Sequence, residues 1–263
     1  MRPFIVAGNW KMNGSPETAL TLADEIALAL PLPPESLRRS VIAAVFPPSI
    51  FLHEVHSRVQ SHRILCGAQD CSEHVSGAYT GETSASMISG IGASMVLVGH
   101  SERRTLFGDT LLRVSLKCQR ALDAGLQPVL CIGENAEERS SNATERVLHE
   151  QIVSAVDTCS TDQLNRLVIA YEPVWAIGSG HAAEVSYIEE VHAMIRSIIC
   201  ANNNEVADNV SILYGGSVTT ANAKEIFSAK GVDGALVGGA SLRADSFLQL
   251  YRTALDCCST SSC

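Results

Sequence analysis

The segment VIAYEPVWAIGSG, residues 168–180, shows the pattern that organises the whole chain. Its first four residues form a continuous apolar run, which is typical of a strand that is buried on both faces. The run ends at an acid, Glu172, and continues through Pro173 into the large apolar residues Trp175 and Ile177 before the final Gly-Ser-Gly. A core strand that ends in a carboxylate and leads into an apolar loop with pliable ends predicts a special role for that acid.

Similar apolar runs alternate with helical patterns along the rest of the chain. We predict eight strands, at residues 4–8, 41–46, 64–68, 95–99, 128–132, 167–171, 211–214 and 235–237. We predict helices at 16–30, 110–124, 137–159, 185–200, 219–229 and 246–255. The first of these helices has a clear start signal, because Pro16 follows Ser15 and proline is favoured in the first turn.

Eight strands, each followed by a helical segment, favour an α/β protein built as one closed (β/α)8 barrel over residues 1–256. The last residues, 257–263, are rich in serine and cysteine and are expected to form a flexible tail. An open doubly wound sheet is the alternative. It fits six strands better than eight, and no Gly-x-Gly-x-x-Gly follows the first run to support it.

Composition narrows the class of protein further. The chain has 263 residues, 46% of them apolar, which suits a large globular core. Its net charge of −9 disfavours a nucleic-acid partner, and no apolar stretch is long enough to predict a membrane span. We see no signal-peptide pattern at the start and expect a cytoplasmic protein, whose nine scattered cysteines are reduced thiols that fill core space.

In a barrel of this kind, chemistry is carried by residues that follow the C-terminal ends of the strands. The candidates here are Asn9 and Lys11, Gln69, His100 to Glu102, Glu134, Glu172, Gly215 to Ser217, and Gly238 with Gly239. One face of the predicted barrel therefore collects a cation, an imidazole, a carboxylate and two glycine pairs.

Three of these side chains suggest acid–base chemistry. Glu172 is a general-base candidate, since an apolar cover that excludes water strengthens a carboxylate as a base; a solvated acid at a strand end is the alternative. His100 precedes a short helical turn, and a helix N-terminus disfavours the charged imidazolium, so we expect a neutral ring that donates a hydrogen bond. Lys11 could neutralise an oxyanion or a phosphate, or form a Schiff base.

The two glycine pairs, at the ends of the seventh and eighth strands, are typical of an anion cradle. Glycine allows backbone N–H groups to approach an anion closely, and a phosphate site after these two strands recurs in barrels. Each pair alone is also compatible with a tight turn. We expect no metal site, because His53 and His56 have the wrong spacing for a His-Glu-x-x-His motif.

Six motifs closely resemble those of the triosephosphate isomerase family, in the same order and over essentially the whole chain. They are NWKMNG (9–14), GAYTGE (77–82), VGHSERR (98–104), CIGE (131–134), AYEPVWAIGSG (170–180) and YGGS (214–217). The resemblance implies a cofactor-free interconversion of dihydroxyacetone phosphate and D-glyceraldehyde 3-phosphate. It implies that Glu172 moves the proton, that His100 acts as a neutral electrophile, and that Lys11 and Asn9 stabilise the enediolate.

The same resemblance implies the remaining site residues. The backbones of Gly178, Ser217, Gly238 and Gly239 would hold the phosphate, and the apolar segment after Glu172 would be a lid with hinges at its ends. The family is usually homodimeric, so Tyr79 and Thr80 would reach the partner subunit, and Glu102 would support both site and interface. This chain departs from the family at residues 179–183, where it has SGHAA and the family more often has TGKTA.

Two other functions remain as alternatives. One is a different phosphate-binding barrel enzyme, such as an aldolase that forms a Schiff base on Lys11. The other is a barrel that only binds or scaffolds, against which the complete set of Asn9, Lys11, His100 and Glu172 argues.

Overall fold

Eight parallel strands close into a barrel. The computed structural model describes residues 2–34, 37, 40–157, 159–177 and 182–260. Each strand pairs with the next along the chain, and the eighth pairs with the first, which confirms the predicted (β/α)8 barrel and rules out the open sheet. The strands are β1 (Phe4–Asn9), β2 (Val41–Phe46), β3 (Ile64–Ala68), β4 (Met95–Val98), β5 (Gln127–Ile132), β6 (Val168–Tyr171), β7 (Ser211–Tyr214) and β8 (Gly234–Val237).

Helices fill the connections between the strands. They are α1 (Pro16–Ala29), α2 (Leu52–Val59), α3 (Ala85–Gly90), α4 (Ser101–Leu106), α5 (Leu111–Asp123), α6 (Ala136–Ser140), α7 (Thr144–Val156), α8 (Thr161–Leu164), α9 (Val185–Asn202), α10 (Asn204–Ala207), α11 (Ala223–Phe227) and α12 (Ala244–Thr260). Across the ranges that the structure describes, none of these helices is long and apolar enough to cross a membrane.

The start of α1 shows how local sequence sets an element boundary. The Ser15 hydroxyl accepts the N–H of Thr18, and the Thr18 hydroxyl accepts the N–H of Ser15, which forms a capping box around Pro16. These bonds satisfy two backbone donors that a helix end leaves unpaired, so the helix begins where the sequence predicts.

Three helices differ from their predicted bounds. The helix predicted at 137–159 is split into α6 and α7, because Asn142 adopts a left-handed backbone with φ of 57° and ends the first helix. The helix predicted at 219–229 shrinks to α11. The last helix extends past the expected start of the tail at residue 257, since α12 continues to Thr260 with Cys257 and Cys258 buried in the core.

Alternating side chains of each strand divide the core into two layers. Ile5 and Ala7 of β1 point into the barrel and pack with Leu97 and other inward residues, whereas Phe4 and Val6 pack outward against the helices. Both layers are tightly filled. The barrel is therefore a packed scaffold, and the residues at the C-terminal ends of the strands are held in fixed positions around one rim.

Candidate active site

A cavity of about 370 Å³ opens at the C-terminal rim of the barrel. Its lining includes predicted site residues at the ends of five strands, β1, β4, β6, β7 and β8, together with residues of the neighbouring loops. They are Asn9, Lys11, His100, Glu172, Ile177, Gly215, Gly216, Ser217, Val218, Thr219, Leu236, Gly238, Gly239 and Ala240. The structure thus brings the four predicted reactive side chains and both glycine pairs into one space, which is the geometry that the sequence predicts.

Glu172 lies at the end of β6 with its carboxylate almost completely enclosed. Only 2% of the residue is exposed. One carboxylate oxygen, Oε2, accepts the backbone N–H of Ser101 at 2.8 Å, and the other, Oε1, lies 3.0 Å from Nε2 of His100. Ser101 is the first residue of α4, so the helix N-terminus stabilises the negative charge. Sequence reasoning did not assign this role to Ser101, although its position at the start of a helix was visible.

His100 caps α4 with its own side chain. Its Nδ1 accepts the N–H of Glu102 at 3.2 Å, which leaves Nε2 as the atom that carries the proton in the neutral ring. Burial lowers the pKa of His100, but the charge and hydrogen bond of Glu172 raise it, and the net shift is upward. The neutral ring expected from burial and the helix end stays a prediction, and the Glu172 carboxylate that faces the ring is the group that opposes the effect of burial on its pKa.

Lys11 is held in an unusual backbone conformation, with a positive φ of 52°. The Asn9 side chain accepts the Lys11 N–H at 3.0 Å, and the Gln69 amide donates to the Lys11 carbonyl at 2.8 Å. The Lys11 ammonium lies 2.5 Å from a carboxylate oxygen of Glu102. An ammonium paired in this way suits the binding of an anion better than attack on a carbonyl, which disfavours the Schiff-base alternative.

The glycine pairs present backbone to the cavity. After β7, the Asn222 amide donates to the carbonyl of Ser217 and accepts the N–H of Thr219, so this loop stays a turn and α11 begins later than predicted. After β8, Gly239 begins a short 3-10 helix, Gly239–Leu242. A methyl group placed on Gly239 would meet no atom within 4 Å, so the space above it is free for a ligand.

Two glycines leave room for Glu172 itself. A methyl group on Gly133 would come 1.7 Å from the Glu172 carbonyl oxygen, and one on Gly215 would come 2.9 Å from Glu172 Cγ. Gly215 also donates its N–H to the Tyr171 carbonyl at 2.6 Å. Both glycines lie in motifs that the sequence singles out, but their effect on the acid depends on contacts between neighbouring strands.

The apolar segment after Glu172 begins with an anchored turn, Val174–Ala176. The fully buried carboxylate of Glu134 accepts hydrogen bonds from the Trp175 indole at 2.8 Å and from the Tyr187 hydroxyl at 2.8 Å. Tyr171 donates to the same oxygen at 3.0 Å. Sequence reasoning flagged Glu134 by position but missed Tyr187, which carries no motif. The predicted phosphate ligand Gly178 and the departure at residues 179–181 lie outside the described residues.

The predicted supporting residues lie beside the cavity and do not line it. Glu102 reaches it only through its ion pair with Lys11. Tyr79 stacks on His74 with ring centroids 3.7 Å apart and planes inclined by 4°, and Thr80 is exposed next to it. In the part of the chain that the structure covers, no group of three or more potential ligand side chains is placed to hold a metal ion.

Comparisons with known proteins agree with this architecture. The family model described as triosephosphate isomerase matches residues 4–254. The triosephosphate isomerase of Hydrogenovibrio crunogenus is 44% identical over 255 residues, which is 97% of this chain and 99% of the relative. The triosephosphate isomerase of Xanthomonas campestris is 43% identical over 257 residues, which is 98% of this chain and all of the relative.

A solved structure gives the same result at the level of the fold. The crystal structure of triosephosphate isomerase from Bartonella henselae, at 1.6 Å resolution, superposes with a TM-score of 0.84 and 37% identity, covering 96% of this chain and 99% of that one. The family match, the near-complete coverage and the arrangement of Glu172, His100 and Lys11 around one cavity establish that this chain belongs to the triosephosphate isomerase family and is an isomerase.

Proposed function

We propose that this site interconverts dihydroxyacetone phosphate and D-glyceraldehyde 3-phosphate through an enediolate, with Glu172 as the base. The observation that carries the proposal is the buried Glu172 carboxylate, 3.0 Å from His100 Nε2, in a cavity shared with Lys11 and two glycine loops. The carboxylate takes a proton from one of the two carbons and returns it to the other, while the hydroxyl proton passes from the oxygen of the first carbon to the oxygen of the second. No electron is gained or lost overall, so the reaction needs no cofactor.

His100 acts on the oxygen atoms of the substrate. With Nδ1 occupied by the Glu102 N–H, its Nε2–H can donate a hydrogen bond to a carbonyl that gains negative charge. Glu172 holds this donor before substrate enters. Once a carbonyl takes the place of the carboxylate, the contact that raises the pKa of His100 is gone, and the ring works in its neutral form.

Lys11 supplies positive charge to the cavity, and Asn9 holds the backbone of Lys11 in place. The Lys11 ammonium brings positive charge to the cavity, and its ion pair with Glu102 keeps the long side chain extended towards that space. Asn9 fixes the strained backbone of Lys11 through their 3.0 Å hydrogen bond. The backbones of Gly178, Ser217, Gly238 and Gly239 hold the phosphate, because closely approaching N–H groups favour an anion.

The decisive test of the base is Glu172→Asp. The shorter side chain withdraws the carboxylate by about one bond length, which we expect to lower turnover by roughly two to three orders of magnitude while the fold is kept. Turnover is measured with glyceraldehyde 3-phosphate in a coupled assay, and folding by circular dichroism. A folded variant with near-normal turnover would remove Glu172 from the base role.

We further propose that the apolar segment after Glu172 is a lid that protects the enediolate. An open site allows the intermediate to eliminate phosphate and form methylglyoxal, whereas a covered site excludes water and holds the leaving bond in the plane. Deleting residues 177–179 should leave a folded barrel that is slow and releases methylglyoxal and inorganic phosphate. NMR analysis of the products measures the partition, and a slow variant that yields only triose phosphates contradicts the protective role.

We also propose that two copies of the chain form a homodimer through the 77–82 loop. Large apolar side chains are exposed at Val75 (61%), two residues before this loop, and at Met12 (95%), and exposed apolar surface of this kind marks interfaces. Replacing Tyr79 and Thr80 by aspartate should give monomers with much weaker catalysis, because Lys11 loses its support. Sedimentation and the coupled assay, run on the same sample, test this; fully active monomers contradict it.

A cytoplasmic location completes the proposal. It is supported by buried free thiols at Cys66, Cys71, Cys118 and Cys131, since oxidising compartments favour disulfides. Burial raises the pKa of both Cys66 and Cys71 to about 12, so these thiols are protected from oxidation. The net charge of −9 supports a small-molecule substrate over a nucleic acid.

A further inference from the structure

The indole of Trp175 lies between two side chains that come from different helices. The guanidinium carbon of Arg139, at the end of α6, is 3.6 Å from the Trp175 ring centroid and 4.6 Å from that of Tyr187. Tyr187, near the start of α9, meets Trp175 edge to face, with centroids 5.8 Å apart and planes inclined by 74°. Together, Arg139, Trp175 and Tyr187 form what we call the indole clamp.

The clamp acts on the segment that carries the base. Trp175 and Tyr187 donate to the same buried oxygen of Glu134, and the Glu134 carbonyl accepts the N–H of Val174 at 3.1 Å. Glu134 therefore holds both the main chain and the indole of the residues that directly follow Glu172. Any loosening of the indole is transmitted to Glu172 through only three peptide bonds.

We propose that Tyr187 and Arg139 are positioning residues that hold Trp175 on Glu134 and thereby keep Glu172 in register with the substrate carbons. This inference rests on the proposed role of Glu172 as the base. It adds two residues that lie outside the cavity and outside the motifs of the sequence.

The physical chemistry of the clamp supports this role. A cation over an indole face is attracted by the ring and strengthens the N–H as a donor to a carboxylate. Burial raises the pKa of Tyr187, so its hydroxyl stays protonated and remains a donor. Asn135 and Glu138 form a capping box at the start of α6, which fixes the helix that presents Arg139.

Two variants remove the clamp and two matched variants serve as controls. Tyr187→Phe keeps the ring and loses the hydroxyl, while Arg139→Ala loses the cation. The control for the first is Tyr251→Phe in α12, which removes a buried tyrosine hydroxyl that donates to the main-chain oxygen of Val41 in β2. The control for the second is Arg146→Ala, which removes an arginine from an exposed ion pair with Glu150.

Turnover, the substrate deuterium isotope effect and the indole itself are measured on each purified variant. We expect Tyr187→Phe and Arg139→Ala to lower kcat about three- to tenfold, the loss expected of one hydrogen bond or one cation–π contact acting on the base, with KM changed less than about twofold. The isotope effect on kcat should rise because proton transfer becomes slower. The chain has two tryptophans, so 5-fluorotryptophan labelling should show one perturbed fluorine resonance, assigned to Trp175 with a Trp10→Phe variant.

The outcomes separate a positioning role from a structural one. If the Trp175 resonance, kcat and the isotope effect match those of the controls, or if the variants only unfold more easily, the clamp does not position the base. Arg139→Lys should recover part of kcat, because the charge is kept and the planar group is lost. The base assignment is tested separately by Glu172→Asp. An active Glu172→Asp enzyme refutes the base role, whereas an unperturbed Trp175 resonance in the two variants refutes the hold of the clamp on the indole.

Discussion

Gly215→Ala is expected to displace the base without disturbing the rest of the barrel. The added methyl group would lie 2.9 Å from Glu172 Cγ and 3.1 Å from the Tyr171 carbonyl oxygen. Alanine tolerates the backbone at this position, because Gly215 does not adopt a left-handed conformation. The Gly215 N–H is already bonded to Tyr171, so the substitution removes no donor from a bound phosphate.

The size of the effect follows from the contact distance. Two carbon atoms in ordinary contact lie about 3.5–4.0 Å apart, so Glu172 Cγ must retreat by about 0.6–1 Å. A misplacement of about 1 Å can lower a rate by about 100-fold, so we expect kcat to fall roughly 10- to 100-fold, or about 1.4–2.7 kcal/mol in the activation barrier. KM should change much less, since the phosphate is bound elsewhere.

The assay compares Gly215→Ala with Gly90→Ala in the coupled reaction, with thermal unfolding measured on both. Gly90 ends a helix, and a methyl group there meets no atom within 4 Å, so its variant controls for the loss of a glycine. A Gly215→Ala enzyme with unchanged kcat, or one whose loss appears only in KM, would refute the claim that this glycine makes room for the base.

Three further outcomes are expected. Glu172→Gln should lower the pKa of His100, because the carboxylate that raises it is gone; nitrogen NMR of the imidazole measures this, and an unchanged pKa would show that another group sets it. His192 is buried and its pKa is lowered to about 4, so the protein should lose about 3 kcal/mol of stability as the pH falls from about 6.5 to about 4. Urea unfolding of His192→Gln should show a flatter pH dependence, and an equally steep one would contradict this. Lys117→Met should destabilise the fold by about 3–5 kcal/mol, because the buried ammonium lies 2.9 Å from the buried Asp109; an unfolding midpoint in urea equal to that of the parent would refute it.

The barrel fold could be predicted from the sequence because the patterns that indicate it are local and recur along the chain. Buried strands of a parallel barrel are continuous apolar runs, and each ends where a polar residue or glycine begins a loop. The break within the predicted 137–159 helix could not be predicted from such a pattern. Residues 137–146 carry a single apolar side chain, Ala143, so apolar periodicity does not locate the break, and the left-handed backbone of Asn142 shows where the helix turns away.

The residues of the candidate site could be predicted for a different reason. Asn9 ends β1, Lys11, His100 and Glu172 each follow a strand, and closure of the barrel brings all strand ends to one rim. The direction in which the pKa of His100 shifts could not be predicted from the sequence, because it depends on where the Glu172 side chain points.

The contacts of the indole clamp also could not be predicted from the sequence. Arg139 and Tyr187 are 48 positions apart in the chain, and their contact depends on how α6 and α9 pack beside the same loop. Neither residue belongs to a motif, so no local signal marks it. Contacts of this kind follow from helix packing and appear only when the barrel is assembled.

The position of Glu172 explains why an acid can end a core strand. A buried carboxylate without partners would be costly, but here the Ser101 N–H, the helix N-terminus behind it and His100 Nε2 all face it. In the proposed role as base, the Glu172 carboxylate exchanges these contacts for a contact with a substrate carbon. Gly215 lies against Cγ of Glu172, and a methyl group at Gly215 would come 2.9 Å from that atom, so the glycine leaves room for the side chain. The strand thus places the acid at the rim, the Ser101 N–H and His100 Nε2 are partners for its buried carboxylate, and Gly215 leaves room for its side chain.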